Sequence, residues 1–211
     1  MRIAVVGSGG QVGRELVRLD WSSSFAGHKV EIISFTRAEL DVTNEASVRA
    51  TLSEVKPDWV INASAYTAVD KAESDSATAY SVNALGPEFL ARCCATLGAK
   101  LIHISTDYVY PGEGSAPLTE DEAVGPTGVY GASKLAGELL VSRVCEEYII
   151  LRTAWVFGAL GGNFVKTMLR LGANREQLSI VCDQWGGPTS ASGIARAIAA
   201  IVRGLTYRDA R

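Results

Sequence analysis

Short apolar runs alternate with longer segments of helical period along the whole chain, and this alternation constrains the fold more than any other feature. Several runs are near-continuous stretches of valine and isoleucine, which is typical of parallel strands covered on both faces. Parallel neighbours need crossover connections, and the helical segments between the runs provide them. The sequence therefore predicts an α/β fold built on a doubly wound parallel sheet. We expect strands at 2–6, 30–35, 58–62, 100–105, 148–152 and 178–181, and helices at 11–20, 44–55, 72–97, 131–146, 163–171 and 191–203.

Composition narrows the class of protein. The chain has 211 residues, of which 47% are hydrophobic and 20% charged, as expected for a compact globular protein with a sizeable core. The net charge of −3 comes without any block of like charge, so we expect neither nucleic acid nor an anionic membrane surface as partner. No run approaches the roughly eighteen apolar residues of a membrane helix. The apolar N-terminal run is too short for a signal peptide, which favours a cytoplasmic location.

The cysteines and one long polar stretch do not indicate a metal site or a redox motif. Cys93, Cys94, Cys145 and Cys182 form neither a C-x-x-C pair nor a metal-ligand cluster, and we interpret them as free core thiols in a reducing compartment. Residues 110–128 are rich in proline, glycine and acidic side chains, which predicts a surface loop. Loops of that length are often functional lids.

A glycine-rich turn follows the first predicted strand. In "IAVVGSGGQVGREL", Gly7, Gly10 and Gly13 lie between that strand and the first helix. The first glycine allows a tight turn, the second lets the backbone approach a pyrophosphate, and the third lets the helix pack closely on the sheet. The helix N-terminus also favours an anion. This strand–turn–helix context predicts dinucleotide binding.

The end of the second strand bears on the choice of dinucleotide. An acidic residue there would bind the ribose 2′-hydroxyl of NAD, whereas an arginine accommodates the 2′-phosphate of NADP. Thr36 and Arg37 stand where an acid is expected, and Glu39 and Asp41 come later. We therefore expect NADPH to be preferred and leave NADH open. The alternative is that Arg37 is an ordinary solvated loop cation.

Tyr130 and Lys134 are one helical turn apart in "YGASKLAGE", so both side chains leave the same face of the helix. A tyrosine with a pKa of about 10 is a sluggish acid at neutral pH, and a neighbouring cation favours its phenolate form. The small residues around the pair, among them Gly131 and Gly137, are interpreted as room for a cofactor and substrate. The pair alone also occurs on ordinary solvated helices.

Further segments make a family resemblance specific. "NASAYTAVDKAE" (62–73), "ISTDYVYPG" (104–112), "LRTAWVFG" (151–158), "GGNFVKTMLRL" (161–171) and "DQWGGPTSA" (183–191) accompany the glycine turn and the Tyr–Lys motif. Together they resemble an extended short-chain dehydrogenase/reductase and, more narrowly, the dTDP-4-dehydrorhamnose reductase family, over nearly the whole chain. The resemblance implies a Rossmann-type dinucleotide-binding domain at 1–150. It also implies that 151–211 holds the last sheet elements and a partial substrate-binding region.

The resemblance implies NAD(P)H-dependent reduction of dTDP-4-dehydro-L-rhamnose to dTDP-L-rhamnose, with Thr106, Tyr130 and Lys134 as the catalytic set. Tyr130 would give a proton to the developing alkoxide, Thr106 would hold the carbonyl oxygen, and Lys134 would also hold the nicotinamide ribose. Asp107 and Trp155 match substrate-contacting positions, although Trp155 equally fits a core aromatic. The cofactor contacts implied are Gly7, Gly10, Gln11, Val12, Gly13, Thr36, Arg37, Asp41, Val42, Ala63, Ala65, Tyr66, Thr67, Tyr130 and Lys134.

Other polar residues keep two interpretations. Asn83 matches a helix position facing the active site and equally fits a solvated asparagine. His103, inside an apolar strand, is predicted to be a satisfied core histidine, and His28 a loop residue. Two scattered histidines define no metal site, and a magnesium requirement stays open because some relatives use that ion.

Two alternatives to the reductase remain open at this point. One is a non-catalytic regulatory subunit resembling the methionine adenosyltransferase β subunit, and the other is a nucleotide-sugar epimerase or dehydratase of the same superfamily. Family members normally continue past the helix at 191–203, so we expect either a fragment or a short member of the family. Such a chain should bind NADPH but reduce the nucleotide sugar slowly. A homodimer is also left open.

Overall fold

The computed structural model describes residues 1–21, 25, 29–113 and 116–209, and His28 lies outside the described residues. Strands and helices alternate as predicted. The strands are β1 (Arg2–Val6), β2 (Glu31–Phe35), β3 (Trp59–Asn62), β4 (Lys100–Thr106), β5 (Tyr148–Thr153), β6 (Val156–Phe157) and β7 (Thr189–Ser190). The helices are α1 (Gln11–Arg18), α2 (Glu45–Val55), α3 (Val69–Ala72), α4 (Ser76–Tyr80), α5 (Gly86–Leu97), α6 (Val129–Val144), α7 (Phe164–Gly172) and α8 (Ala191–Asp209).

The main sheet has five parallel strands in the order β2-β1-β3-β4-β5, which confirms the predicted doubly wound parallel sheet. The strand order reverses direction between β1 and β3. In open sheets of this kind, ligands bind beyond the carboxyl ends of the strands at such a switch point. The topology therefore directs attention to the turns that follow β1, β2 and β3.

Two apolar layers cover the two faces of the sheet. Successive side chains along β1 alternate between these layers. Ile3 and Val5 pack in the layer with α1 and α8, whereas Ala4 and Val6 pack in the layer with α2, α5 and α6. All four side chains are buried, as expected when a parallel strand is covered on both faces.

The prediction of one continuous helix over 72–97 is wrong. A turn at 73–75 separates α3 from α4, and a π-helical turn at Ser81–Leu85 joins α4 to α5. Pro87 explains the irregularity, because it has no N–H to donate to the carbonyl of Asn83 four residues earlier. The helix is therefore wider over this turn than a regular α-helix.

The predicted strand at 178–181 is also wrong, since these residues are irregular. Ile180 and Val181 are exposed, and in the described part of the chain no strand pairs with them. A strand without a neighbour has no ladder hydrogen bonds to hold it. A two-residue pairing of β6 with β7 appears instead.

Three of the four cysteines are buried free thiols as predicted, but Cys182 is exposed on the same irregular segment, so its interpretation as a core thiol is wrong. The predicted surface loop at 110–128 is largely irregular and exposed over its described residues. Among the described helices, none has the length and apolar content needed to span a membrane.

Candidate active site

A cavity of about 420 Å³ lies at the switch point of the sheet. Its walls come from the turns after β1, β2 and β3, which is where the topology predicts a ligand. Nine of the residues predicted to contact the cofactor line it: Gly7, Gly10, Arg37, Asp41, Val42, Ala63, Ala65, Tyr66 and Thr67. Five lining residues were not predicted: Gly9, Leu40, Ser64, Ala68 and Val82. Four of them, Gly9, Leu40, Ser64 and Ala68, are next to predicted residues in sequence, whereas Val82 is far from any predicted cofactor contact and gave no such signal.

The glycine turn is built by close backbone packing. Gly7 has φ +82°, and a Cβ there would lie 2.6 Å from the backbone nitrogen of Ser64. A Cβ on Gly13 would lie 2.3 Å from the carbonyl oxygen of Gly7. Gly7 and Gly13 are therefore required by the turn and by the approach of α1. Gly10 caps the N-terminus of α1 and lines the cavity, so the helix begins where an anion would be favoured.

Two residues at the end of β2 play different structural parts. Arg37 is exposed and lines the cavity. Thr36 does not line it, because its backbone N–H and its hydroxyl both donate to the Glu39 carboxylate at 2.8 Å. These hydrogen bonds lower the pKa of Glu39 and close the turn. The cavity therefore meets the exposed guanidinium of Arg37 at this point, whose charge also acts on Asp41, and the Glu39 carboxylate is held by Thr36.

The other predicted contacts in the first half of the chain are placed outside the cavity wall. Val12 is buried, and Gln11 donates to the carbonyl of Val156 at 3.3 Å. Gln11 also accepts from Asn163 at 3.1 Å. This side chain thus links α1 to the segment after β5. Asp41, by contrast, lines the cavity, and hydrogen bonds from Thr43 lower its pKa.

Thr106 and Tyr130 come together beyond the end of β4. The neighbouring Thr106 hydroxyl lowers the pKa of Tyr130, but burial has a larger opposite effect, so the pKa of Tyr130 is raised. The ring of Tyr130 meets that of Tyr108 edge to face, with centroids 5.4 Å apart. Thr106 also donates to Asp107 at 3.1 Å, and burial raises the pKa of Asp107. The chain therefore gathers three polar groups that can face a carbonyl oxygen.

Lys134 is turned toward β4 and is almost fully buried. Its Nζ donates to the carbonyl of Ile104 at 2.7 Å and lies 3.3 Å from Nε2 of His103. Burial lowers the pKa of Lys134 to about 8. Lys134 is not among the charges that act on Tyr130, so the expectation that it lowers the pKa of this tyrosine is wrong for this arrangement. Burial is the largest cause of the raised pKa of Tyr130.

The glycines of the "YGASKLAGE" helix pack against the protein's own backbone. A Cβ on Gly131 would lie 2.2 Å from the Tyr108 carbonyl oxygen, and one on Gly137 would lie 2.1 Å from that of Asn83. The interpretation of these two glycines as room for a ligand is therefore wrong. They allow α6 to approach the turns that follow β4 and α4.

Asn83 is buried, which contradicts its interpretation as a solvated residue. Its amide accepts from the Tyr66 N–H at 2.8 Å, and it donates to the Tyr66 carbonyl and to Ser133 Oγ, both at 3.0 Å. It thus ties the cavity wall to α6. Glu73 performs a similar task that sequence reasoning missed: its carboxylate accepts from the Val129 N–H at 2.8 Å, at the first residue of α6.

A buried ion pair holds the far side of α6. Glu138 accepts from the Arg152 guanidinium on β5, with the shortest contact at 2.7 Å. Arg152 also donates to the Tyr110 hydroxyl at 2.7 Å, and that hydroxyl donates to the Thr119 carbonyl at 3.0 Å. These contacts anchor the loop at 110–128 to the sheet. The spacing of these residues in the sequence gave no signal for the network.

Trp155 is half exposed and has φ +45°. Its indole packs against the backbone of Gly186, so close that a Cβ there would lie 2.8 Å from the ring. It is therefore not a core aromatic. The described residues contain no group of histidine, cysteine, aspartate or glutamate side chains that could hold a metal ion.

Known proteins resemble this chain in sequence and in structure. The family described as "RmlD substrate binding domain" matches residues 1–210. The dTDP-4-dehydrorhamnose reductase of Escherichia coli is 42% identical over 207 residues, which are 96% of this chain and 67% of the relative. That of Aggregatibacter actinomycetemcomitans is 43% identical, over 92% of this chain and 65% of the relative.

Among solved structures, the reductase of Bacillus anthracis in complex with NADP is 39% identical with a TM-score of 0.89, over 95% of this chain and 70% of that one. A Thermus thermophilus UDP-glucose 4-epimerase, 22% identical with a TM-score of 0.74, shares the fold alone. The chain spans about two thirds of the length of the curated relatives it matches. From the sequence match over nearly all of its length, the chain belongs to the dTDP-4-dehydrorhamnose reductase family.

Proposed function

We propose that this protein is an NADPH-dependent reductase that converts dTDP-4-dehydro-L-rhamnose to dTDP-L-rhamnose. The observation that carries the proposal is the 42% identity to curated reductases of that name over 96% of the chain. The contact between Thr106 and Tyr130 at the end of β4 supports it independently, because carbonyl reduction needs an acid beside the carbonyl oxygen.

The switch-point cavity suits a dinucleotide. Gly7 and Gly10 line it, and α1 begins at its edge, where the helix dipole favours a diphosphate. Asp41 and Val42 line the cavity and would lie near the adenine, and the turn after β3 supplies another part of the wall. When bound, the cofactor would supply the hydride. The solved Bacillus anthracis relative is in complex with NADP.

Arg37 supports a preference for NADPH over NADH. It is the cation that lines the cavity at the end of β2, and a 2′-phosphate would find its guanidinium there. The nearest acid in sequence, Glu39, is held by Thr36. The dinucleotide-binding region is proposed to be 1–150, and 151–211 is proposed to hold the last sheet elements and part of the substrate-binding region.

The residues beyond β4 would carry the proton chemistry. A tyrosine whose pKa is raised by burial is protonated at neutral pH, which is the form that can donate to a developing alkoxide. Thr106 would orient the carbonyl oxygen, and Asp107 and Trp155 would contact the sugar nucleotide. Lys134 would hold the nicotinamide ribose and help return a proton to Tyr130.

The test is NADPH consumption with dTDP-4-dehydro-L-rhamnose, compared with a UDP-linked 4-keto sugar, with product identified by mass. We expect turnover with the dTDP sugar and loss of it in Tyr130→Phe. Tyr108→Phe is the matched control, because the Tyr108 ring packs on that of Tyr130 and its contact with Thr106 is made by its backbone N–H, which the substitution keeps. Equal turnover of both sugars would contradict the proposed preference for the dTDP-linked substrate. Full activity of Tyr130→Phe would contradict the proposal that Tyr130 is the proton donor.

A further inference from the structure

A buried line of polar side chains runs from the cavity wall to α6. Ser64 lines the cavity, and its backbone N–H and hydroxyl donate to Asn62 Oδ1 at 3.0 and 2.6 Å. Asn62 Nδ2 lies 3.0 Å from His103 Nδ1, and His103 Nε2 lies 3.3 Å from Lys134 Nζ. Asn62 and His103 are fully buried, and Lys134 is 1% exposed. No step in the proposed reaction uses Asn62 or His103.

The directions of these hydrogen bonds follow from one fixed donor. A backbone N–H can only donate, so the Asn62 atom that meets Ser64 is the oxygen, and Nδ2 is the atom that faces His103. An amide NH₂ can also only donate, which makes His103 Nδ1 the acceptor. Burial, which is the larger cause, and the neighbouring Lys134 lower the pKa of His103 well below its ordinary value, so the ring is neutral. A neutral imidazole that accepts at Nδ1 carries its hydrogen on Nε2.

That hydrogen points at Lys134. An ammonium group has three donors and no acceptor, so it cannot bond with an Nε2–H. A neutral amine can accept from Nε2–H through its lone pair while it donates to the Ile104 carbonyl at 2.7 Å. The contacts of Lys134 on β4 are therefore satisfied together only when this side chain is unprotonated.

We propose that His103 is a positioning residue that donates its Nε2 hydrogen to the neutral amine of Lys134, and so fixes both the direction and the protonation of that side chain. The role of His103 in catalysis rests on the proposed function, whereas the direction of its hydrogen bond to Lys134 is independent of that function.

The other charged groups around Lys134 do not reverse this conclusion. Glu138, one turn later on α6, favours the ammonium, but its carboxylate is held by the Arg152 guanidinium on β5. Tyr130, one turn earlier, is kept neutral by burial, and burial also favours the neutral form of Asp107 after β4. Burial of Lys134 acts in the same direction as the His103 hydrogen and outweighs Glu138.

The direct test is NMR of the 211-residue chain, and it needs no activity. The chain has two histidines, so ¹⁵N spectra of the imidazole rings, assigned with His103→Leu, report which nitrogen of His103 carries the hydrogen. We expect Nε2–H. ¹³Cε-labelled lysine, assigned with Lys134→Arg, gives the midpoint of the Lys134 titration, which we expect well below the ordinary value of about 10.4. A hydrogen on Nδ1, or an ordinary midpoint, would overturn the proposal.

Asn62→Asp gives the discriminating variant. A carboxylate still accepts from Ser64 but also accepts from His103, which moves the ring hydrogen to Nδ1 and leaves Nε2 free to accept from an ammonium. The Lys134 midpoint should rise. The added charge alone could raise it, so the same change is made in a His103→Leu background, where only the charge effect remains. A larger rise with His103 present supports the proposal, and equal rises overturn it.

Discussion

Gly137 offers the sharpest test of how α6 is held against the turn at Ser81–Leu85. The Asn83 carbonyl has no donor at Pro87, and this oxygen would lie 2.1 Å from a Cβ built on Gly137. Real Cβ atoms essentially never approach within 3.0 Å of another heavy atom. In Gly137→Ala, therefore, the two backbones must separate by about 1 Å, although each is fixed by further hydrogen bonds.

Two opposing effects determine how much Gly137→Ala changes the free energy of unfolding. Replacing a glycine inside a helix by alanine stabilises the helix by roughly 0.5–1 kcal/mol when nothing clashes. Overpacking a close contact costs about 1–3 kcal/mol. Here the obstacle is backbone and not the end of a flexible side chain, so we expect the upper half of that range. The net loss is about 1–2.5 kcal/mol, or about 2–10 °C in Tm for a chain of this size.

Urea unfolding followed by far-UV circular dichroism measures this difference through the midpoint at constant slope. Gly204→Ala is the matched control, because Gly204 also lies inside a helix and a Cβ there would meet nothing within 4 Å. That variant should gain about 0.5–1 kcal/mol. If Gly137→Ala unfolds at the same urea concentration as Gly204→Ala, the close approach of α6 is not what requires this glycine.

Three further predictions concern the candidate site. Tyr130→Phe should lose about 10²–10⁴-fold in turnover with NADPH affinity nearly unchanged, which single-turnover rates and fluorescence titration would check. Arg37→Ala should weaken NADPH more than NADH by about 1.5–3 kcal/mol, with Arg49→Ala as control; equal losses would remove Arg37 from the 2′-phosphate site. Lys134 has a folded-state pKa of about 8, below its unfolded value of about 10.4, so unfolding takes up a proton between these pH values. The free energy of unfolding of wild type relative to Lys134→Met should therefore rise by on the order of 3 kcal/mol from pH 8 to above 10.4, and a flat difference would contradict this.

The sheet and the position of its ligand cavity could be predicted because both depend on local patterns. Valine- and isoleucine-rich runs identify buried strands, and the glycine turn after β1 locates the switch point. The secondary-structure predictions were wrong where a local sequence pattern was not enough to determine the structure. The apolar run at 178–181 has no strand to pair with among the described residues, and Pro87 interrupts a helix whose periodicity continues through it.

The site shows the same division between local spacing and distant contact. One helical turn between Tyr130 and Lys134 places them on one face, and that much follows from the sequence. Where the Lys134 amine ends is decided by Ile104 and His103, about thirty residues earlier on β4, and by an asparagine on β3. The spacing of residues along one helix does not reveal a hydrogen-bond direction that is set through two strands, β3 and β4, and the turn after β3. For this reason, the motif indicates which lysine matters, and the buried neighbours decide which protonation state it brings to the reaction.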